Sequence, residues 1–172
     1  MNLLRPKLCL EGLSALTPEV LVAHGLLGIV LDIDNTLTAH GQYTLSPQVA
    51  DWLARHRQAG TPLFILSNAP PGRVRRIAQE LQLPALGLSR KPLPASFRRA
   101  AQALGLGPEQ VAAVGDQLFT DVLGGNVAGC FTVLVRPISR RERLHTRLLR
   151  LLERYILGEP GWPHYPVMPP RE

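Results

Sequence analysis

Short, largely apolar runs alternate along this chain with segments whose apolar residues recur at helical spacing. Runs of this kind suit strands that are buried on both faces of a parallel sheet. The pattern predicts strands over residues 29–32, 63–66, 85–88, 111–114 and 131–135. The periodicity between them predicts helical segments over 17–25, 46–60, 73–83, 95–104 and 119–128.

Capping residues indicate where the first two helices begin and end. Thr17 and Ser46 each precede a proline, and a hydroxyl residue followed by proline is a favoured helix start. Gly25 and Gly60 follow these helices and predict their ends. The helix residues that we expect in the core are apolar: Val49, Trp52, Leu53, Val74, Ile77, Ala78, Leu81, Phe97, Ala100 and Leu104.

This alternation of strands and helices predicts an α/β fold with three layers and a doubly wound parallel sheet. We expect a single domain over residues 1–157 that includes a C-terminal helix. The segment 158–172 contains five prolines, which exclude helix and strand and predict a tail. In an open parallel sheet, ligands bind beyond the carboxyl ends of the strands, so functional residues are expected there.

Composition limits the kind of protein that this chain can form. Its 172 residues, of which 45% are hydrophobic and 19% charged, suffice for one globular domain with its own core. No apolar run is long enough to cross a bilayer, and the mixed N-terminus does not predict a secretory signal. Cys9 and Cys130 are the only cysteines. We expect free, buried thiols in a cytoplasmic protein and no structural zinc site.

Two carboxylates stand two residues apart at the end of the first predicted strand. They belong to Asp32 and Asp34, and the hydroxyl of Thr36 follows. Like charges this close resist joint ionisation, so one carboxyl tends to keep its proton unless a cation intervenes. A carboxylate nucleophile beside a carboxylic acid is the equipment for acyl-phosphate chemistry. Taken alone, the same residues also suit a surface turn.

Polar residues follow the later strands in the same way. Ser67 and Asn68 come after the second strand, and Lys91 comes just after the third. Asp116 follows the fourth strand, with Asp121 nearby. Singly, these residues could belong to turns or, for the lysine, to a solvated loop. Because the carboxyl ends of parallel strands meet at one edge, we expect the groups to converge.

Asp, Ser, Lys and Asp, in this order and mostly at strand ends, resemble the four motifs of the haloacid dehalogenase-like (HAD) phosphatase superfamily, whose fold is Rossmann-like. The resemblance covers roughly residues 25–136. The runs Asp-Ile-Asp-Asn-Thr-Leu and Gly-Asp-Gln-Leu-Phe-Thr-Asp resemble subfamily IIIA, the YqeG branch. That branch is similar to the phosphatidylglycerophosphate phosphatases.

The resemblance implies catalytic and metal-binding roles for the acidic residues. Asp32 would be the nucleophile that forms an aspartyl-phosphate, and Asp34 would be the general acid and base. Asp32, Asp116 and the main-chain carbonyl of Asp34 would hold Mg²⁺, a hard cation that prefers oxygen ligands. Asp121 would contact a metal-bound water or support the residues that bind the metal directly.

The resemblance also implies phosphoryl-binding residues. Lys91 would supply a positive charge, and Ser67 with the amide of Asn68 would bind phosphoryl oxygens. Thr36 would orient the substrate-binding loop through its hydroxyl. Together with the acidic residues, these groups predict a Mg²⁺-dependent phosphomonoester hydrolase.

The gaps between the motifs narrow the class of substrate. The gap from Asp32 to Ser67 and the gap from Ser67 to Lys91 each hold one helix. Neither has room for the cap domain with which many relatives enclose small metabolites. A capless site stays open to solvent and suits a bulky substrate, such as a protein, a nucleic-acid end or a lipid phosphate. The resemblance favours phosphatidylglycerophosphate or a similar lipid phosphate.

The net charge of +6 is concentrated in residues 140–156, where six arginines stand against two glutamates. Leucines at helical spacing in this segment predict a basic amphipathic helix. It could lie on an anionic membrane, which would hold the protein peripherally at the inner face, or pack its leucines on the sheet. Three further arginines could contact a second phosphate or a lipid headgroup, but we expect exposed helix arginines without such a role: Arg73, Arg75 and Arg76.

Two other functions stay open at the level of sequence. The same chemistry could act on a nucleic-acid end or a phosphoprotein, although the basic segments lack the interleaved aromatic residues that stack on single strands. Alternatively, the chain could be a non-catalytic module that binds RNA or the ribosome. Such a module would not need Asp34, which favours an enzyme. The sequence does not indicate an oligomeric state.

Overall fold

Strands and helices alternate through residues 2–139, the part of the chain that the computed structural model describes. The strands are β1 (Leu8–Leu10), β2 (Gly28–Leu31), β3 (Leu63–Leu66), β4 (Ala85–Leu86), β5 (Val111–Gly115) and β6 (Phe131–Val135). The helices are α1 (Pro18–Ala23), α2 (Pro47–Gln58), α3 (Pro71–Glu80), α4 (Pro94–Ala103) and α5 (Leu123–Ala128). Short 3₁₀ turns lie at Leu13–Ala15 and Pro108–Gln110, and a π-helical turn at Leu118–Val122 leads into α5. The predicted helix over 140–156 and the tail over 158–172 lie outside the described residues.

The strands form one sheet in the order β1-β6-β5-β2-β3-β4, and every neighbouring pair is parallel. The chain runs from β2 outward through β3 and β4, then returns to place β5 on the other side of β2. At this reversal the ends of β2 and β5 lie together, with Leu31 opposite Val114. A crevice of this kind is the usual ligand site of an open parallel sheet.

Alternate residues of the central strands enter two separate apolar layers. Ile29 and Leu31 belong to one buried cluster, which also contains Trp52 of α2 and Ile77 of α3. Val30, between them, belongs to a second cluster that contains Phe97 of α4. Helices therefore cover both faces of the sheet, which confirms the predicted three-layer, doubly wound α/β fold.

The first two helices begin where predicted but are capped differently. Ser46 caps α2, because its Oγ accepts a hydrogen bond from the Val49 amide at 3.3 Å. Thr17 precedes α1 but its hydroxyl makes no capping bond, so the prediction of a side-chain cap there is wrong. A hydrogen bond from Thr17 to the Glu19 carboxylate is instead the main reason that the pKa of Glu19 is lowered.

Backbone conformation explains where other predicted bounds differ. The predicted segment 73–83 is α3, which begins two residues earlier, at Pro71, and ends at Glu80 before Gln82 turns left-handed (φ 49°). The strand predicted over 85–88 is β4, which stops at Leu86 because Leu88 is also left-handed (φ 45°). β1 was not predicted, since its three residues are too few to show a period.

Two predictions of burial are corrected. Leu104, just past α4, is only half-buried. Cys9 and Cys130 are both free and Cys130 is buried, but Cys9 is only half-buried because it lies on the edge strand β1. Among the described residues, no helix combines the length and apolar character that a membrane span needs.

Candidate active site

Asp32 lies one residue past the end of β2, at the crevice between β2 and β5. Its amide donates to the Val114 carbonyl at 3.0 Å, which ties it to the neighbouring strand just before Gly115 and Asp116. The residue is 6% exposed. Its position therefore follows from the last pairing of two central strands.

Three buried carboxylates converge at this crevice. One oxygen from each of Asp32, Asp116 and Asp121 lies within 4.8 Å of the others. Asp116 follows β5 directly, whereas Asp121 belongs to the π-helical turn that comes next. Asp121 Oδ2 accepts a hydrogen bond from the Gln117 amide at 3.2 Å, which orients its carboxylate.

Gly115 makes this approach of Asp121 possible. A Cβ at position 115 would lie 2.2 Å from Asp121 Cγ, so any larger residue would displace the carboxylate. The glycine is thus required by the side chain six residues later in the chain. Sequence reasoning included Gly115 in the fourth motif but did not detect this contact.

Lys91 contacts two of the three carboxylates directly, and among the described residues it is the one cation that does so. Its Nζ donates to Asp32 Oδ1 and to Asp121 Oδ1, each at 2.6 Å. Its side chain is only 3% exposed. We call Asp32, Lys91, Asp116 and Asp121 the inner cluster.

Burial and charge oppose each other within the inner cluster. Burial raises the pKa of the Asp32 carboxyl and the Lys91 ammonium opposes this effect. Burial alone would lower the pKa of Lys91, but Asp121 and Asp32 outweigh it, so this pKa lies above its ordinary value. Lys91 therefore stays charged, and at least one of its carboxylate partners carries the matching negative charge.

The side chain of Asn68 holds the loop that presents Lys91. Its Oδ1 accepts from the Lys91 amide at 2.8 Å and from Ser89 Oγ at 3.0 Å. Its Nδ2 donates to the Lys91 carbonyl at 3.0 Å. The carboxamide of Asn68 is thus committed to the loop backbone, a role that the motif did not suggest.

Ser67 and Thr36 are buried beside the same strand ends. Ser67 Oγ accepts a hydrogen bond from the Ala69 amide at 3.3 Å, and its own proton can serve a second acceptor. Thr36 Oγ1 is buried and has no hydrogen-bond partner among the described residues. The turn after β2 is held instead by Asn35, whose amide donates to the Thr38 carbonyl at 2.7 Å. The role expected of the Thr36 hydroxyl in orienting this loop stays a prediction.

Asp34 lies outside the inner cluster and is held by different partners. Its Oδ1 accepts from the Gly41 amide at 3.0 Å and lies 3.2 Å from His40 Nδ1. Its Oδ2 accepts from Arg73 Nη1 at 2.9 Å. We call Asp34, His40 and Arg73 the outer cluster. Their side chains are 21%, 34% and 12% exposed, respectively.

Arg73 is the residue that sequence reasoning misjudged most. We expected an exposed helix arginine, but Arg73 also donates to the Gln42 carbonyl at 2.7 Å and lies 5.5 Å from the centre of the Tyr43 ring. It lies in the first turn of α3, which starts at the same sheet edge as Asp32. The signal available in the sequence was the presence of an arginine so soon after the second motif, which places its side chain near the site.

The inner cluster fits a hard divalent cation. Three carboxylates against one ammonium leave an excess of negative charge, and carboxylate oxygens are the ligands that Mg²⁺ prefers. Asp32 and Asp116 can each supply an oxygen, as the sequence motif implied. Asp121 lies close enough to belong to the same donor set.

Comparison with protein families identifies the architecture. The family model for haloacid dehalogenase-like hydrolases matches residues 18–129. The cobalt-bound deoxy-D-mannose-octulosonate 8-phosphate phosphatase of Haemophilus influenzae superposes with a TM-score of 0.55 at 16% identity, over 79% of this chain and 90% of that chain. At this identity the likeness supports the fold alone.

Two curated relatives match most of the chain. The probable phosphatase YqeG of Bacillus subtilis is 35% identical over 148 residues, which are 86% of this chain and 86% of that protein. The phosphatidylglycerophosphate phosphatase 1 of Arabidopsis thaliana is 28% identical over 162 residues. That alignment covers 88% of this chain but only 47% of the plant protein.

Proposed function

This chain belongs to the haloacid dehalogenase-like hydrolases and is a phosphatase, and from that premise we propose that it dephosphorylates phosphatidylglycerophosphate or a similar lipid phosphate with the help of Mg²⁺. Hydrolysis of a phosphomonoester follows from its family. The observation that carries the proposed chemistry is the inner cluster, in which a candidate nucleophile lies against a buried cation and two further carboxylates.

Asp32 would attack the phosphorus atom. A bond forms between its carboxylate oxygen and phosphorus while the bond from phosphorus to the ester oxygen breaks, which leaves an aspartyl-phosphate and an alcohol. Lys91 and Ser67 would meet the phosphoryl oxygens, and Lys91 keeps its positive charge there. When bound to Asp32, Asp116 and the main-chain carbonyl of Asp34, Mg²⁺ would supply neutralisation of the phosphoryl charge.

Asp34 would manage the protons of both half-reactions. In the first it gives a proton to the departing alkoxide, and in the second it takes a proton from the water that attacks the aspartyl-phosphate. The second step releases inorganic phosphate and restores the carboxylate of Asp32. Asp34 suits this role because it lies at the same strand end yet keeps 21% of its side chain exposed.

Three features support a lipid substrate. The described residues place one helix between each pair of site-bearing strands and include no cap domain, so a bulky substrate can approach. The Arabidopsis relative is named for phosphatidylglycerophosphate. The chain carries a net charge of +6, which favours an anionic surface.

Release of inorganic phosphate from a panel of phosphomonoesters tests this proposal. The purified full-length chain is assayed with Mg²⁺ on phosphatidylglycerophosphate and phosphatidic acid in mixed micelles, and on phosphoserine and glycerol 3-phosphate in solution. We expect the highest kcat/KM for phosphatidylglycerophosphate. Asp32→Asn should lower the rate by about three orders of magnitude or more while its circular dichroism spectrum stays unchanged. Preference for phosphoserine would contradict the lipid assignment, and residual full activity of Asp32→Asn would contradict the nucleophile.

A further inference from the structure

The outer cluster contains an arginine that occupies the very residue needed for proton transfer. Both oxygens of Asp34 are engaged: Oδ1 by the Gly41 amide and His40, and Oδ2 by Arg73 Nη1 at 2.9 Å. While Arg73 stays there, it competes for Oδ2 with the ester oxygen of a leaving alcohol. The reaction of the proposed function is therefore favoured when Arg73 exchanges partners.

The hydrogen bonds of Arg73 show that it has capacity for another partner. Its Nη2 donates to the Gln42 carbonyl at 2.7 Å and weakly to Thr38 Oγ1 at 3.4 Å. Its Nε is buried and has no hydrogen-bond partner among the described residues. A guanidinium binds a phosphate best through two parallel N–H groups, and Nε with one Nη forms such a pair.

We propose that Arg73 recognises a second anionic group on the leaving alcohol of the substrate and, by doing so, releases Asp34 for catalysis. This inference rests on the proposed function and names the substrate class more closely: a phosphomonoester whose alcohol also carries a phosphodiester. Phosphatidylglycerophosphate has this form, with the two phosphates one glycerol unit apart. Phosphatidic acid lacks the second phosphate.

The position of Arg73 suits this role. It projects from the first turn of α3, beside the strand ends and next to the residue that would protonate the leaving alcohol. Its side chain is 12% exposed and so borders the opening of the site, and the exchange of partners that frees Asp34 would also bring the buried Nε to the substrate. The ring of Tyr43 supports the guanidinium at 5.5 Å from its centre.

Two soluble probes isolate the second charge from the acyl chains. Glycerophosphoglycerophosphate, the deacylated headgroup, carries the phosphodiester, and glycerol 3-phosphate does not. We expect the wild-type protein to prefer the first by roughly tenfold or more in kcat/KM, as a charged hydrogen bond warrants. Arg73→Gln should bring the ratio close to one, and Arg73→Lys should retain part of it because lysine keeps the charge but not the fork.

Arg75→Gln is the matched control, since Arg75 is exposed on the same helix and belongs to neither cluster. It should leave the ratio unchanged. General damage to the site would lower both rates together and preserve the ratio, so an unchanged ratio in Arg73→Gln overturns the inference. A ratio near one in the wild-type protein overturns it as well.

Calorimetric binding of the same two probes to the Asp32→Asn protein separates this inference from the proposed function. If the wild-type protein hydrolyses no phosphomonoester, the proposed function fails. The release of Asp34 for catalysis fails with it, but recognition of a second anionic group by Arg73 still stands if glycerophosphoglycerophosphate binds at least tenfold more tightly and Arg73→Gln removes that difference. Equal binding of the two probes refutes it.

Discussion

The inner and outer clusters contain ion pairs of similar length in opposite surroundings. Lys91 pairs with Asp32 and Asp121 at 2.6 Å, with side chains exposed by no more than 7%. Arg73 pairs with Asp34 at 2.9 Å, with side chains exposed by 12% and 21%. Strand ends and a π-helical turn hold the inner carboxylates, whereas a loop holds Asp34 and the start of α3 holds Arg73.

This difference separates two tasks. Buried charges interact in a low dielectric and have no water to replace a lost partner, so the inner cluster keeps one arrangement. Partly exposed charges can exchange a protein partner for water or for a ligand at lower cost. We infer that the inner cluster fixes the chemistry at phosphorus and that the outer cluster selects the alcohol.

Loss of the buried cation should have the largest effect on stability. Lys91→Met leaves three carboxylates together in the interior, and we expect the free energy of unfolding to fall by about 3–5 kcal/mol. Phosphatase activity should fall by about 10²–10³-fold. Urea unfolding without divalent ions measures the first effect, and phosphate release with Mg²⁺ measures the second.

The control for this variant is an exposed ion pair. Arg136 Nη1 lies 2.7 Å from Glu11 Oε2, with side chains exposed by 56% and 65%. Arg136→Met should cost about 0–1 kcal/mol. Equal losses in the two variants would remove the distinction between buried and exposed pairs in this protein.

Displacement of one carboxylate should weaken the metal site with less damage to the fold. Gly115→Ala places a Cβ 2.2 Å from Asp121 Cγ, so Asp121 must move. We expect the Mg²⁺ concentration for half-maximal activity to rise by about 10–100-fold. Gly72→Ala is the control, because a Cβ at position 72 meets nothing within 4 Å. An unchanged Mg²⁺ requirement in Gly115→Ala would exclude Asp121 from the metal site.

A buried polar residue away from both clusters predicts how stability depends on pH. Burial lowers the pKa of His56, partly offset by its hydrogen bond with the Leu16 carbonyl at 2.8 Å. The unfolded chain then binds a proton more readily than the folded one. His56 thus contributes its full stability above the unfolded pKa of about 6.5 and loses it as pH falls from there through the lower pKa of the folded state.

Urea unfolding at pH 7 and pH 5 measures this loss. Glutamine does not titrate in this range, so the His56→Gln protein should lose less stability than the wild-type protein over the same interval. The two proteins have the same carboxylates, so the difference reports on His56 together with its charge interaction with Glu19. A parallel loss in the two proteins would show that the imidazole does not stay neutral on folding.

The smallest effect is expected in the outer cluster. His40→Ala removes one of two contacts to Asp34 Oδ1, and the Gly41 amide remains. Because His40 is 34% exposed, we expect less than about 1 kcal/mol in stability and less than about tenfold in kcat. Stopped-flow and urea measurements on this variant test the claim that the outer cluster tolerates exchange of partners. A loss as large as that of Lys91→Met would contradict it.

Much of the fold was predictable from local pattern. Four strands were predicted because they run through largely apolar segments: β2, β3, β5 and β6. Ser46-Pro47 marks the start of α2. The three residues of β1 were not predicted, because they form a strand only through pairing with β6, more than a hundred residues later. Long-range pairing of so short a segment leaves no period in the sequence.

Local sequence was enough to identify the chemical groups of the site and their attachment to strand ends: Asp32 after β2, Ser67 after β3 and Asp116 after β5. Which of the charges meet follows from the assembled fold. Lys91 pairs with Asp121, and Arg73 with Asp34, across 30 and 39 residues of chain. Whether a segment forms a strand depends on neighbouring residues. The partner of a side chain depends instead on the order of the strands in the sheet, which no local pattern encodes.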